Sequence, residues 1–240
     1  MKILWVSNGT HTNTGYGSSS RAVVPRLIAD GHDVVVLSYW GIQGEPVYVD
    51  NVLHLPAGAD QWGNDVIVPY FHQLERDVVI VHRDNWVNNP EVTRAVPTAC
   101  WFPVDHSPIS EPLARNIEAA RWNATMSGFG VEACSEAGYS VAHIPHGVEP
   151  SIMRYLPDWK EQRARLFPHI PVEAFLVTMV GANKGFPSRK GFVEAFQALA
   201  IAMREEKSIY AYIHTDPTAA GGGPDLQRVV KMLGMDPTRV

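Results

Sequence analysis

The chain has 240 residues with 25 acidic and 20 basic side chains, a formal net charge of −5 at neutral pH. Hydrophobic residues make up 45% of the chain and charged residues 19%, which excludes an intrinsically disordered protein and is enough for a substantial core. The negative balance gives no general attraction for nucleic acid or anionic lipid, so we expect no nucleic-acid partner.

The first 150 residues contain short apolar runs separated by helical patterns. The runs cover residues 3–6, 34–37, 78–81, 98–102 and 141–144. They are apolar at every position rather than alternating, as in parallel strands that helices cover on both faces. Between the first two runs, residues 18–30 show helical spacing of apolar side chains, and Gly31 ends the helix. This βαβ pattern predicts a Rossmann-like α/β domain over residues 1–150.

The remaining sequence predicts a connecting region and an incomplete second domain. Residues 151–171 are charged and interrupted by prolines, which is typical of a linker. Residues 172–240 then begin a second strand–helix series, with a buried strand at 175–181, a helix from Phe192, a strand at 209–214 and a helix at 225–232. Because sheets usually hold about five strands, two strands describe only part of a second Rossmann-like domain.

Simple counts exclude two further classes of protein. Cys100 and Cys134 cannot form a disulfide framework and lack metal-ligand spacing. No apolar run approaches the ~20 residues that a membrane-spanning helix needs, and the N-terminal apolar stretch is too short for a signal peptide. We expect a protein without a transmembrane segment, located in the cytoplasm.

The loop after the first strand is a candidate anion site. Gly15, Tyr16 and Gly17 stand just before the first helix, where free N–H groups and the helix dipole favour negative charge. A dinucleotide fingerprint is rejected, because Ser20 occupies the third glycine position and no acidic residue ends the second strand. The alternative is a long loop in which the glycines allow turns and Ser18 caps the helix.

A second candidate site is the loop 181–191, between a strand and a helix. It carries three basic residues and no acidic one. Cations at a helix N-terminus are disfavoured by its dipole, so their placement there indicates a bound anion such as a nucleotide diphosphate. The alternative is a solvated basic loop. Within this loop, the predicted diphosphate-binding residues are Gly181, Asn183, Lys184, Arg189 and Lys190.

Polar residues at other strand ends predict a sugar-binding cleft, because ligands of open α/β sheets bind at the carboxyl ends of strands. Asp105 and His106 follow one strand, and either they bind sugar hydroxyls or they only form an exposed turn. His146 and Gly147 follow another strand, and we assign them to the same cleft. His143 and His146 are three residues apart, but no further ligand completes a metal site, so none is predicted.

Two other sets of residues lie at the ends of first-domain strands, and each has two possible roles. The run 82–84 (His-Arg-Asp) either lines the same cleft or forms a polar strand terminus. Aromatic rings cluster near these ends, and they either stack on sugar rings or pack in the core. The aromatic residues are Trp40, Tyr70, Trp86 and Trp101.

Four sequence pieces occur in an order that is similar to a known family. They are the glycine-containing loop and helix that end in Gly31-His32-Asp33-Val34; Ser127-Gly128-Phe129-Gly130 with Glu132 and Gly138 after it; Ile144-Pro145-His146-Gly147-Val148-Glu149; and Val180-Gly181 leading to Arg189-Lys190-Gly191 and Glu194-Ala195-Phe196. Together they resemble the family 4 glycosyltransferases of GT-B fold, in which two Rossmann-like domains face each other across a cleft.

The resemblance implies a retaining transfer of a sugar from a nucleotide diphosphate sugar, with no further cofactor and no metal. It implies a carbohydrate, lipid-linked or other acceptor held by the first domain. Gly15 and Gly17 match the first-domain loop that closes on the diphosphate and the donor sugar, so we assign Gly15, Tyr16 and Gly17 to donor and diphosphate binding. Lys190 matches the family lysine before glycine. The family arginine follows the strand-end glycine, where this chain has Ala182, so Arg189 or Lys184 is its substitute. His106 matches a first-domain histidine near the donor sugar, and we group it with Arg189 and Lys190 as catalytic.

The family's later pair of glutamates, which bind the donor, has no counterpart before Val240. We therefore expect either a fragment of a longer product or a partner chain that completes the domain. Two alternatives to the transferase stay open. One is a nucleotide-sugar 2-epimerase of the same fold, with Asp84 or Asp105 as acid–base groups. The other is a non-catalytic nucleotide-binding subunit that works with a partner chain.

Overall fold

A computed structural model describes all residues, 1–240, and it divides into two compact units. Unit 1 is Met1–Met153 and unit 2 is Arg154–Val240. The stretch 151–171, for which the sequence predicts a linker, contains a helix, α6 (Trp159–Leu166), within unit 2. Arg163 of this helix donates to the carbonyl oxygens of Pro171 and Ala174, and these hydrogen bonds tie the helix to the start of the next strand.

Unit 1 is built on one eight-stranded sheet with the order β3-β4-β2-β1-β5-β6-β7-β8. All neighbours are parallel except β3, which is antiparallel to β4. The strands are β1 Lys2–Asn8, β2 Asp33–Trp40, β3 Val47–Val49, β4 Val52–Pro56, β5 Val78–His82, β6 Thr98–Phe102, β7 Trp122–Thr125 and β8 Ala142–His143. The helices are α1 Gly15–Ala29, α2 Asn64–Gln73, α3 Pro90–Ala95, α4 Glu111–Ala119 and α5 Gly128–Glu136.

The central strands β1, β2 and β5 are buried on both faces, which explains their apolar runs. The run 141–144, predicted as a strand of the same kind, is instead the short, exposed edge strand β8. Leu4 and Val6 of β1 belong to a cluster that includes side chains of α2, α3, α4 and α5. Ile3 and Trp5 point to the opposite face and pack with Val24 of α1. The predicted Rossmann-like architecture is therefore confirmed for unit 1, with the strand order reversing between β1 and β5.

Local differences from the sequence prediction have physical reasons. Helix α1 begins at Gly15 rather than Ser18, because Thr14 is the cap and its hydroxyl accepts from Gly17 N. Ser18 is therefore not the cap, and both glycines lie in the first helical turn. Strands β3, β4 and β7 were not predicted from the sequence.

Unit 2 has two parallel strands, β9 (Phe175–Val180) and β10 (Ile209–His214), with helices α7 (Phe192–Glu205) and α8 (Leu226–Met232). The predicted helical stripe of α7 is buried with the inner side chains of both strands. Its members are Phe192, Phe196, Leu199 and Met203. No helix of the chain is long and apolar enough to cross a membrane.

The prediction that β9 is a buried strand is wrong. Phe175, Thr178 and Val180 are exposed, and the other residues of the strand are only partly buried. The physical reason is that β9 has a single neighbouring strand, and that the apolar cluster with α7 and α8 takes up only Val177 and Met179 from it.

Candidate functional site

Unit 1 has a cleft of about 820 Å³ at the carboxyl ends of β1, β6, β7 and β8. It brings together four of the predicted site residues, Gly15, Tyr16, His146 and Gly147. Most of its wall is apolar, and the polar groups are few. Its lining residues are Gly15, Tyr16, Ser18, Ser19, Ala22, Val23, Arg26, Trp101, Pro103, Met126, His146, Gly147, Val148 and Glu149.

One wall of the cleft is a face of α1. Gly15, Ser19, Ala22 and Arg26 recur at helical spacing, so they stand above one another on that face. The first turn of α1 carries no acidic side chain. The helix therefore supplies no counter-charge of its own to the positive end of its dipole, which Gly15 and Tyr16 bring to the wall of the cleft.

The loop before α1 is held rigidly. Arg21 of α1 reaches back and donates to the carbonyl oxygens of Thr10 and Thr12, at 2.7 and 2.9 Å. The Thr12 hydroxyl donates to the carbonyl of Gly9, and the Asn8 amide donates to the Thr14 hydroxyl. These bonds fix the position of the helix N-terminus before any ligand binds.

The two glycines of the first turn differ in their surroundings. A Cβ at Gly17 would collide with the side chain and carbonyl of Thr12 and with the carbonyl of Gly9. A Cβ at Gly15 would meet nothing within 4 Å. Gly17 is thus needed for the close approach of loop and helix, whereas Gly15 borders the open cleft.

His82, at the end of β5, lies buried behind this wall. The Ser7 hydroxyl donates to the His82 carbonyl at 2.9 Å, so His82 Nδ1–H donates to Ser7 Oγ, 3.2 Å away. His82 Nε2 then accepts from the Ser19 hydroxyl at 3.3 Å. Burial, and then the neighbouring His146, lower the pKa of His82 to about 3. The ring is neutral at physiological pH and orients Ser19 at the cleft wall.

The opposite wall is the segment 146–149. His146 lies against Trp101 with ring centroids 5.1 Å apart. Glu149 accepts a 2.8 Å charge-assisted hydrogen bond from Arg26 of α1. This bond, and further bonds from Ser151, hold the pKa of the Glu149 carboxyl below its usual value. The ion pair joins the two walls at one side of the cleft.

Tyr16 connects the cleft to the end of β5. Its hydroxyl donates to Asp84 Oδ1 at 2.9 Å. Burial raises the pKa of Tyr16, and the Asp84 carboxylate raises it further. The phenol is therefore always protonated and acts as a donor. Tyr16, for which the sequence predicts diphosphate binding, here makes its contact to a carboxylate of the protein.

Arg83 is the buried member of the run 82–84. Its guanidinium donates to Asn88 Oδ1 at 2.7 Å, to Asn64 Oδ1 at 2.8 Å and to the carbonyl of Trp62. Burial lowers the pKa of Arg83 to about 10, so the group remains charged. Neutral oxygen atoms hold this cation inside unit 1, which makes it structural rather than a cleft residue.

Asp105 and His106 do not line the cleft. His106 Nδ1 lies 2.8 Å from Asp105 Oδ1, and its Nε2 accepts from the backbone N–H of Ser110, the N-cap residue of α4. Both side chains are exposed. Of the two interpretations, the geometry fits the exposed turn better. No group of three or more His, Cys, Asp or Glu residues stands close enough to hold a metal ion.

The basic loop of unit 2 leads from the end of β9 to the start of α7. The aliphatic stem of Lys190 lies over Gly181 at the strand end, with Cγ 3.6 Å from the position of a Cβ there. Lys184, Arg189 and Lys190 are exposed and belong to none of the ion pairs of the chain. No side chain caps α7 at Gly191. Three cations outside any ion pair thus lie in the loop before α7, whose first turn carries one acidic side chain, Glu194.

Asn183 is buried within this loop and ties it to the loop after β10. Its amide nitrogen donates to the carbonyl oxygens of Asp216, Thr218 and Pro224, at 2.8–3.1 Å. The backbones of Lys184 and Gly222 also form a β-bridge. The amide nitrogen of Asn183 is therefore taken up by the protein, and the residue positions the basic loop.

Several cleft residues were not singled out from the sequence. Ser19 and Arg26 share the α1 face with Gly15, and their helical spacing from it was a usable signal. Glu149 lies within the quoted sequence piece that contains His146. Met126 and Pro103 gave no signal, because only the sheet order brings their loops together.

Comparisons with known proteins show which fold this geometry belongs to. No protein-family model and no curated protein matches the sequence significantly. Solved structures do match. Sucrose-phosphate synthase from Thermosynechococcus elongatus aligns over 100% of this chain and 69% of its own, with a TM-score of 0.72 and 14% identity.

Two further matches have the same character. A glycosyltransferase from Rickettsia africae aligns over 99% of this chain and 66% of its own, with a TM-score of 0.65 and 13% identity. The UDP-GlcNAc 2-epimerase from Neisseria meningitidis aligns over 97% and 69%, with a TM-score of 0.56 and 13% identity. Identity this low shows the fold alone. The chain has the GT-B fold, with a Rossmann-like first domain and an incomplete second one, and spans about two thirds of the length of these proteins.

Proposed function

We propose that the chain is a nucleotide-diphosphate-sugar-dependent glycosyltransferase of the family 4 type, acting with retention of configuration. The observation that carries the proposal is the basic loop of unit 2. Lys184, Arg189 and Lys190 lie in the loop before α7 without an ion-pair partner, no side chain caps that helix, and Glu194 is the one acidic residue of its first turn. A diphosphate supplies the missing counter-charge, since arginine binds phosphate as a fork and lysine as a point charge.

The proposed chemistry asks little of a general base. Negative charge develops on the departing diphosphate as the bond to the sugar breaks. Arg189, Lys190 and the N–H groups at the start of α7 stabilise that charge, and preorganised donors of this kind usually contribute more to catalysis than any other effect. Asn183 holds the loop in place through its three carbonyl contacts. No metal or further cofactor is part of this proposal.

The cleft of unit 1 is proposed to bind a sugar ring. Trp101 and Val148 offer apolar surface, and Ser19 and His146 offer hydrogen-bonding groups. Neutral His82 holds the Ser19 hydroxyl in place, so that its oxygen can accept from a sugar hydroxyl. A cleft of about 820 Å³ has room for a monosaccharide unit.

A 2-epimerase of the same fold is the second candidate, favoured by the matched structure from Neisseria meningitidis. Such an enzyme needs carboxylates held for proton transfer at the sugar. Asp84 Oδ1 is occupied by the Tyr16 hydroxyl, and Asp105 is exposed beside His106. The proposed transferase, by contrast, needs neither carboxylate for its chemistry.

A panel of radiolabelled nucleotide sugars, incubated with the full chain and mixed acceptors, tests the proposal. We expect transfer to an acceptor with the anomeric configuration retained. Formation of an epimer would support the second candidate, and binding without turnover would support a non-catalytic subunit.

Lys190→Ala should lower the transfer rate at least ~100-fold with folding intact. The matched control is Lys207→Ala, an exposed lysine beyond the opposite end of α7. A Lys190→Ala rate near wild type would refute the assignment.

A further inference from the structure

An aromatic surface lies beside the cleft of unit 1, at the same edge of the sheet. It consists of Tyr39 at the end of β2, Trp62 after β4 and Trp86 after β5, and we call it the aromatic ledge. The rings of Tyr39 and Trp62 are 5.6 Å apart, and those of Trp62 and Trp86 are 6.3 Å apart. Both pairs meet edge to face, so the rings form a continuous row.

The aromatic side chains of the ledge are partly exposed to solvent. Trp86 has 59% of its surface exposed, and Tyr39 and Trp62 are half-buried. Tyr39 and Tyr70 both pack against the core cluster with part of their surface, and Tyr70 also donates to the carbonyl of Pro56. Exposed aromatic rings that stand in a cluster, rather than singly, mark a surface that something covers in use. The exposed side of the ledge, chiefly Trp86, is therefore a candidate binding surface.

The ledge is also rigid. The backbone N–H of Trp62 donates to Asp60 Oδ1 at 2.8 Å, and its carbonyl accepts from the buried Arg83. Trp86 stands in a short 3₁₀ turn between two buried residues, Asn85 and Val87. Rings held in this way lose little freedom on binding a ligand.

Polar groups without partners accompany the rings. The Tyr39 hydroxyl makes no hydrogen bond within the chain, and burial raises the pKa of Tyr39 to about 12, so it remains a donor. Asp84 uses Oδ1 for Tyr16 and has Oδ2 left to accept. Aromatic faces combined with a free donor and a free acceptor match a pyranose, which has an apolar face and a rim of hydroxyl groups.

The charges at the ledge favour a neutral ligand. Asp60 and Asp84 are acidic, and the cation Arg83 lies behind the ledge, 5.3 Å from the centre of the Tyr39 ring, with its N–H groups bonded to Asn64, Asn88 and a carbonyl. A phosphorylated ligand would be repelled here and find no free cation. A lipid chain would desolvate the carboxylate of Asp84 and leave its Oδ2 without a hydrogen-bond donor.

We infer that the aromatic ledge binds a neutral pyranose of the acceptor, stacked on Trp86 and hydrogen-bonded to Tyr39 and Asp84. The assignment to the acceptor rests on the proposed function, whereas the binding of a neutral sugar does not. Continuity with the cleft supports it, since Tyr16 lines the cleft and its hydroxyl contacts Asp84, two residues before Trp86.

Saturation-transfer NMR on the full chain, with no nucleotide present, tests the inference. The probes are methyl glucoside, mannoside and galactoside, maltose and cellobiose, with glucose 6-phosphate, uridine and phospholipid–detergent micelles for comparison. We expect at least one neutral sugar to bind and Trp86→Ala to weaken it at least ~10-fold. Trp122 is exposed at the start of β7, at the opposite edge of the sheet. The Trp122→Ala variant should therefore bind the neutral sugars as the wild type does.

Binding of none of the neutral sugars would overturn the inference. Preference for glucose 6-phosphate, uridine or micelles, or equal binding by Trp86→Ala and wild type, would overturn it as well. Lys190→Ala separates this result from the proposed function, because it should keep the sugar affinity unchanged while losing transferase activity. Loss of transfer with sugar binding intact would leave the inference standing.

Discussion

Two neighbouring glycines of α1 serve different purposes. Gly17 allows the helix to touch the loop 9–12, and Gly15 leaves open the mouth of the cleft. The sequence predicted both as anion-binding glycines, because it shows their spacing but not which backbone approaches which. The two glycines differ because the loop folds back over the helix and contacts it at Gly17 but not at Gly15. Hydrogen bonds from Arg21 to the carbonyl oxygens of Thr10 and Thr12 hold the loop in that position.

Replacing each glycine by alanine separates these roles. Gly17→Ala should lower the free energy of unfolding by about 1–3 kcal/mol, because the added methyl group forces the Thr12 backbone aside. Gly15→Ala should be neutral or slightly stabilising, since alanine favours the helix and meets open space. Urea unfolding measures both. Equal effects of the two changes would contradict the assignment of Gly17 to packing.

The charged residues show how far the sequence reaches. The position of Lys184, Arg189 and Lys190 before a helix predicts an anion site, and the structure leaves all three exposed and outside any ion pair. Arg83 gives no such signal. It follows a strand like a site residue, but the structure buries it because Asn64 and Asn88 supply oxygen acceptors from other segments. Hydrogen bonds between segments that are distant in the sequence cannot be predicted from the residues around Arg83 alone.

At the scale of elements, two neutral histidines hold the strands around the loop before α1. His54 of β4 bonds the hydroxyls of Ser38 and Thr10, at 2.8 and 3.1 Å. His82 of β5 bonds Ser7 and Ser19. Burial, followed by the neighbouring His11, lowers the pKa of His54 to about 4, and the pKa of His82 is about 3.

These lowered pKa values predict a loss of stability in mild acid. Between pH 6.5 and 4 the unfolded chain binds protons at His54 and His82 that the folded chain does not, so stability falls as pH falls. Each histidine contributes up to about 1.4 kcal/mol per pH unit. Urea unfolding from pH 8 to 5 measures this, a range above the carboxylate titrations.

Substitution assigns the slope to particular residues. His54→Gln should reduce the slope of unfolding free energy against pH, whereas His143→Gln, at an exposed strand position, should leave it unchanged. A flat wild-type profile between pH 6.5 and 5 would show that the buried histidines do not titrate as described.

The sequence predicted those strands whose residues are buried on both faces, because such strands are apolar at nearly every position. Strands β1, β2, β5 and β6 were located within a few residues for this reason. The β3–β4 hairpin was missed, although Asp50 and Asn51 form a two-residue turn at positive φ, which is a known hairpin signal. Strand β7 carries Trp122 and Asn123, and only its neighbours β6 and β8 make it a strand.

At the scale of the whole molecule, the two units differ in how complete their sheets are. Unit 1 buries both faces of the central strands of an eight-stranded sheet. Unit 2 has two strands, and Phe175 and Val180 of β9 remain exposed. Most of the stabilising burial therefore lies within Met1–Met153.

Residues 1–153 expressed alone should fold. We expect a cooperative thermal transition, because the sheet and both core clusters lie within this segment. Circular dichroism and heteronuclear NMR spectra measure it, and the dispersed resonances should superimpose on those of the full chain. An uncooperative transition with collapsed resonances would contradict the independence of unit 1.

Diphosphate binding by the basic loop of unit 2 underlies the proposed transferase activity, and calorimetric titration of the full chain with UDP, GDP and ADP measures it without an acceptor. We expect that at least one of them binds, that added salt weakens binding, and that Lys190→Ala weakens it at least ~10-fold while Lys207→Ala does not. Binding of none of the three, or equal binding by Lys190→Ala and wild type, would show that the loop is only a solvated basic surface.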